Sequence, residues 1–316
     1  MIFDVYFVLT TPMSVIASDL LATAPAPPTI VVPAQIISPG YWRSVGRRLV
    51  RDRVAMLCAA VLVLLVLAAI FAPWVAPADP FKTSVLKRLL PVGSPNNWLG
   101  TDELGRDLIS RLIYGGRLSL TMGIVPVTAA FLIGTTIGVA AGFMGGTVNM
   151  AVMRTLDVFY AFPSVLLAVA ISGAMGPGLS NSLLALTIVF IPQIARVAES
   201  VTTQVAKLEY IDAARMSGAA SLTIIRLQVL GNVLGPVFVY ATGLISVCMI
   251  LASGLSFLGL GVRPPEAEWG LMLNTLRAAI FNNPVVAALP GAMIFITSIC
   301  FNLLADGIRS AMDLKR

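Results

Sequence analysis

The chain has 316 residues, of which 58% are hydrophobic and 11% charged, with a net charge of +6 and no histidine. A soluble domain carries about 25% charged residues, so this composition excludes a water-soluble globule and specifies an integral membrane protein. Without imidazole there is no histidine metal ligand, general base or proton relay, and the unclustered positive charge does not suit a nucleic-acid binder.

Residues 1–40 open with a short apolar stretch, MIFDVYFVLT, that has no basic flank and does not read as a cleaved signal peptide. PAPP at 25–28 reads as an extended linker. A disordered cytoplasmic tail is expected over residues 1–40, with Met13 an alternative start. Arg43, Arg47, Arg48, Arg51 and Arg53 then form a basic flank.

Stretches free of charge run 54–78, 118–153, 158–195, 227–262 and 278–305. A helix needs about 20 apolar residues to cross a bilayer. The third stretch is too long for one helix, and Gly176-Pro177-Gly178 divides it. Six spans are therefore expected, near 54–73, 118–142, 158–175, 179–197, 233–258 and 285–305, in an all-α polytopic fold. Placing both termini in the cytoplasm puts thirteen Lys and Arg inside and eight outside, in line with the positive-inside rule. The outer loop at 74–116 strains that rule, because with Arg117 it carries six basic residues beside Asp79, Asp102, Glu103 and Asp107.

That loop contains WLGTDELGRDLISRLIYGGRLSL at 98–120. Thr101 or Asp102 can cap a helix with an acidic first turn. Asp102 and Arg106, and Asp107 and Arg111, are spaced i,i+4, and Leu104, Leu108 and Leu112 line one side. An amphipathic helix at the outer membrane surface is expected, with Asp107 facing water or a partner protein. Gly134, Gly138 and Gly142 repeat at small-xxx-small spacing and read as a helix contact, at a subunit seam or within the chain. Cys58, Cys248 and Cys300 lie in apolar runs and read as packing residues; no metal site and no catalytic set is expected.

Arg154, Asp157, Arg196, Glu199 and Asp306 all fall near expected cytoplasmic helix ends. A proton- or ion-coupled carrier would place such groups at mid-membrane. There is also no GxxxxGK[ST] sequence, so energy for uphill movement would enter from a partner.

The longest internal cytoplasmic loop is 198–232, and it contains EYIDAARMSGAASLTIIRLQVLGN at 209–232. Helical period runs over 205–217, with Val205, Leu208, Ile211 and Met216 apolar and Lys207, Glu209, Asp212 and Arg215 polar. Gly218 reads as a helix stop and Ser221 as the N-cap of a second short helix with Leu222, Ile225 and Val229 on its apolar face. Ala213 and Ala214 leave one side small, so another surface can approach. On the residues alone, a connector helix lying on the membrane is the more general description.

Asp212-Ala213-Ala214, three residues, Gly218, then Leu-Gln-Val-Leu-Gly resembles the EAA loop of ABC importer permeases. Asp212 stands for the family's Glu, and Gly231 stands where the family usually has Pro. WLGTDELGRD with its following SR and GGRLSL, RTLDVFYAFPSVLLAVA from Arg154, and NLLADGIRSAMD near the C-terminus resemble permeases of the dipeptide/oligopeptide/nickel family. The likeness covers roughly residues 43–316 and is strongest to the second, or C-type, permease of such systems.

The resemblance implies a type I ABC importer permease fold whose five-helix core lies at about 117–306, with an extra first span. It implies residence in a bacterial inner or plasma membrane and a heterodimer with a related permease. It also implies two ATP-binding subunits that hold ATP and Mg, and an extracytoplasmic substrate-binding protein. The chain itself would bind no cofactor. Glu209, Asp212, Ala213, Ala214 and Gly218 would couple to an ATPase groove, and Gly100, Thr101, Asp102, Gly105, Arg106, Asp107 and Arg111 form the outer-loop motif. Ser172, Asn181, Thr187, Thr242, Ser246 and Ser253 are pore-lining candidates, or else helix-packing groups. Peptides are the expected cargo; nickel, another small solute, or a stand-alone secondary carrier are the alternatives.

Overall fold

The computed structural model describes residues 41–312; the expectations for the N-terminal 40 residues and for the last residues of the C-terminal tail lie outside them. α1 (Tyr41–Arg51) carries the basic flank. Asp52 then caps α2 (Arg53–Ile70), accepting from the Val54 and Ala55 N–H groups at 3.0 and 3.1 Å. A long loop leads to α3 (Leu108–Met144), followed by α4 (Gly146–Tyr160), α5 (Ser164–Met175) and α6 (Leu179–Val205). A short helix, α7 (Glu209–Met216), precedes α8 (Ser221–Phe257), the buried α9 (Trp269–Thr275) and α10 (Pro284–Met312).

α2, α3, α6, α8 and α10 are each long and apolar enough to cross a membrane, and α4 with α5 makes a sixth span only as a pair bent by 85°. Residues 158–175 are therefore not the single helix that the uncharged stretch suggested. Pro163 has no N–H to donate and disfavours helical geometry at Phe162, so the chain turns between Tyr160 and Ser164. α3 and α8 have 37 residues each. At about 1.5 Å per residue they outreach a hydrocarbon core of about 30 Å, so the expected spans 118–142 and 233–258 are only their middles.

α6 lies against α3 on the stripe Gly134, Gly138 and Gly142. A Cβ at Gly134 would stand 2.9 Å from the Ile191 carbonyl oxygen, and one at Gly142 would stand 2.8 Å from that of Glu199; Gly138 is tighter still against Ala195. The stripe is thus filled from within the chain and is not a subunit seam. α8 runs beside this pair, and its Val233, Val237, Cys248 and Ala252 join Phe190, Ile194 and Met122 in one buried core. A second core joins α2, the start of α3, α9 and α10 around Trp269 and Phe301. Trp269 packs on Gly115 and Gly116, and its indole N–H donates to the Leu112 carbonyl at 2.9 Å. Gly307 of α10 abuts Ala55 at the start of α2, so the beginning of α2 and the end of α10 share one end of the bundle. Cys58, Cys248 and Cys300 are buried free thiols.

Gly138→Val should lower the stability of the purified chain by roughly 1–3 kcal/mol or more, since no rotamer of the added side chain avoids the α6 backbone. Gly173→Ala, which meets open space, should change little. Thermal unfolding in detergent measures both; equal midpoints would contradict backbone contact between α3 and α6.

Candidate functional site

α6 ends at Val205, and α7 begins four residues later. Glu209 and Asp212 sit in the first turn of α7 and Arg215 in its last, as the helix dipole favours. Ile211 is fully buried and anchors the helix in the main core. Ala213 is exposed and Ala214 half-buried, so the small face turned outward is centred on Ala213.

Gly218 stops α7 with φ +80°. The Gly218 N–H donates to Arg215 at 3.0 Å and the Ala219 N–H to Ala214 at 3.2 Å. These are the two hydrogen bonds of a Schellman motif. A Cβ at Gly218 would have room, so the demand there is conformational, not steric. Ser221 begins α8 but does not cap it: the N-cap is Ala220, without a side-chain hydrogen bond. Nor is a second short helix present, because residues 221–257 run on as one, through a π turn at Ile225–Val229. Met216 and Leu222 are 85% and 76% exposed beside Glu209, Asp212 and Arg215. The loop therefore presents a compact, mixed apolar and charged surface.

The outer-loop motif folds differently from its expectation. Residues 98–107 form no helix. α3 begins at Leu108 with Asp107 as its cap, accepting from the Ser110 N–H at 2.9 Å and the Ser110 hydroxyl at 2.7 Å. Asp107 is 5% exposed and also accepts from Asn97 at 2.9 Å, so it faces neither water nor Arg111. Arg111 pairs instead with Asp102 at 3.2 Å, while Arg106 meets the same carboxylate at 2.6 Å. Arg111 also donates to the carbonyls of Pro80 at 3.2 Å, Pro265 at 3.4 Å and Glu266 at 3.2 Å. Gly105, with φ +75°, lets the chain fold back over Ser84. Thr101 accepts from the Leu90 N–H at 2.9 Å, and Gly100 lies against Leu90 with no room for a side chain. The motif is a buried polar clamp joining two loops to the start of α3. Leu104, at 45% exposure, lies away from Leu108 and Leu112, which are buried.

The pore candidates separate. Ser246 and Ser253 share a cavity of about 560 Å³ between α8 and α10, with Ser298 and Asn302 opposite. Ser172 donates to the Leu260 carbonyl at 3.3 Å. Asn181 closes the end of α5, donating to Met175 and Gly176 at 2.8 and 2.9 Å. Thr187 and Thr242 bond to their own helices at Leu183 and Phe238. A second cavity of about 220 Å³ shares Ile250 and Gly254 with the first and reaches α5. A third, of about 320 Å³, lies one turn along α8 at Leu244 and Val247 and is lined by Tyr160, Ser164 and Gln193. The first two are continuous at Ile250 and Gly254, and all three are lined by α8, where Val247 and Ile250 are exposed. A search for charge could not find Gln193; its signal is an uncharged amide in the middle of an apolar span.

Residues 134–315 match the family described as binding-protein-dependent transport system inner membrane component, and residues 40–91 match the N-terminal TM domain of oligopeptide transport permease C. The glutathione transport system permease protein GsiD of Pectobacterium atrosepticum is 40% identical over 274 residues, which cover 87% of this chain and 91% of that protein. The di/tripeptide transport system permease protein DppC of Pseudomonas aeruginosa is 39% identical over 303 residues, 94% of this chain and 98% of that one. Two inward-facing crystal forms of the MetNI methionine ABC transporter contain chains that share the fold. Their TM-scores are 0.54 and 0.52 at 20% identity, over 65% of this chain and 97% of theirs.

Arg111→Met would leave Asp102 with one cation fewer in a buried site. A loss of roughly 3–5 kcal/mol in stability is expected, read as a lower unfolding midpoint in detergent. Arg88→Met, on the exposed part of the same loop, should shift it little. Equal midpoints for the two variants would remove the clamp.

Proposed function

The chain belongs to the inner-membrane components of binding-protein-dependent transport systems, as an ABC importer permease of the peptide family, and from that premise we propose that it forms half of a translocation pathway for di- or oligopeptides. The other half would come from a related permease seated against the concave α8 face. Two ATP-binding subunits would hold ATP and Mg, and an extracytoplasmic protein would deliver the cargo. Both termini would lie in the cytoplasm.

The observation that carries this reading is the surface at α7. Its Ile211 is fixed in the core, its Gly218 elbow sets the angle to α8, and its outward side is small at Ala213. An ATPase subunit docked there would push on α6 and α8 together. The concave face supports it from the other direction. Ser246 and Ser253 are neutral groups in a largely apolar wall, which suits cargo selected beforehand by another protein. Names of relatives favour peptide over nickel: the two compared above are described for glutathione and for di- and tripeptides.

Gly218→Val should strain the elbow by about 1–2 kcal/mol and misdirect α7, whereas Gly218→Asn, which tolerates left-handed geometry, should retain most function. Ala213→Trp should block docking by bulk. The assay is peptide uptake and binding-protein-stimulated ATP hydrolysis in vesicles carrying the whole transporter. Uptake should fall severalfold for the Val and Trp variants at unchanged membrane insertion. Normal uptake by both would reduce the loop to a connector.

A further inference from the structure

The cavity of about 320 Å³ lies inside the elbow between α4 and α5, closed by α6 and α8. Its volume is that of small-ligand sites, about 300–1,000 Å³. Gln193 is the fifteenth of the 27 residues of α6, about 20 Å from either end at 1.5 Å per residue. It stands mid-helix in an apolar stretch, where an amide that finds no partner is costly. Its carboxamide offers two donors and an acceptor oxygen. It makes one long hydrogen bond, 3.4 Å to the Ser164 hydroxyl at the start of α5. The amide is thus poorly used by the fold and lines a cavity.

Charge near this cavity is already compensated. Arg196, one turn further along α6, is paired with Asp157 of α4, and its guanidinium lies 5.0 Å from the centre of the Tyr160 ring. Phe159, Tyr160 and Phe162 supply aromatic wall. No free cation or carboxylate among the lining residues is available for a charged terminus. The groups that remain are a carboxamide, a hydroxyl and a phenol.

We propose that this elbow is a cargo subsite in which Gln193, supported by Ser164, hydrogen-bonds the uncharged peptide bond of the passing cargo. Carboxamide and peptide bond are complementary, each a donor and an acceptor. The break between α4 and α5 beside Gln193 gives the cargo room without exposing more than a few backbone groups, the arrangement that broken helices serve in other transporters. The proposal deepens the permease reading above and rests on it.

The test uses the complete transporter in vesicles, with its own binding protein. Uptake of a dipeptide is compared with that of its depsipeptide analogue, in which an ester replaces the amide. The comparison is made in wild type, in Gln193→Met, which is close in volume but apolar, and in Gln193→Asn. Preferences of the binding protein are common to all three and cancel in the ratios. Wild type should favour the amide over the ester more than Gln193→Met does, by on the order of tenfold. Gln193→Asn should restore part of the difference. Membrane insertion and assembly of the transporter should be equal in all three. Ratios equal within twofold, with the wild type transporting, would overturn the subsite and leave the permease reading intact. A wild-type transporter that accumulates neither compound would overturn the peptide reading itself and this subsite with it.

Discussion

Everything in this molecule hangs on how closely α3 and α6 approach. Three glycines, Gly134, Gly138 and Gly142, let the backbone of α6 lie where side chains would otherwise stand. In lipid, packing of this kind substitutes for the hydrophobic driving force available in water. The contact continues to the helix ends, where Asn149 of α4 donates to Glu199 of α6 at 2.6 Å and to the Ala141 carbonyl of α3 at 3.2 Å. α7 follows α6 after three residues. A push on α7 therefore acts on a pair of helices that cannot slide without losing backbone contact.

The charges are arranged around this frame. Among the described residues, charged side chains gather toward helix ends and in loops, and Arg196, which lies further in, is paired with Asp157. The outer loop resolves the strain it placed on the positive-inside rule. Arg106 and Arg111 are buried against Asp102, and Arg117 donates to the carbonyls of Ala69 and Ile70 at 2.6 and 2.8 Å. Three of the six basic residues thus hold the loop and α3 together instead of marking a side of the membrane. A protein built this way has a polar clamp at the start of α3, cavities along α8 and a charged surface at α7. Those are the parts a permease needs when another subunit supplies the energy.

Much of this was legible in the sequence because charge is expensive in a bilayer. Charge-free stretches located the spans, and Gly176-Pro177-Gly178 located the break before α6. What the stretches could not show was geometry without charge. Nothing in 158–175 is charged, so the 85° bend at Pro163 passed as part of one span. Conversely, Arg111 and Arg117 seemed to end a span that in fact continues past them, because both side chains satisfy themselves within the protein. The leucines at 104, 108 and 112 suggested a helix one turn too early; Asp107 is the cap, and only Leu108 and Leu112 belong to α3. The elbow at Gly218 was readable because a left-handed C′ position selects glycine. The long run of α8 beyond it was not, since Ser221 looked like a new beginning.

The permease role proposed above requires the α8 face to open alternately to the two sides of the membrane when α7 is driven. Ile250, exposed on that face and shared by two of its cavities, is the place to test it. The native cysteines are buried, so a single Ile250→Cys reports with little background. Its reaction with a membrane-impermeant maleimide would be followed from each side of the whole transporter, at rest and with nucleotide trapped on the ATPase subunits. Labelling that changes side with nucleotide is the predicted result. Labelling from neither side, or the same labelling in both states, would contradict the account.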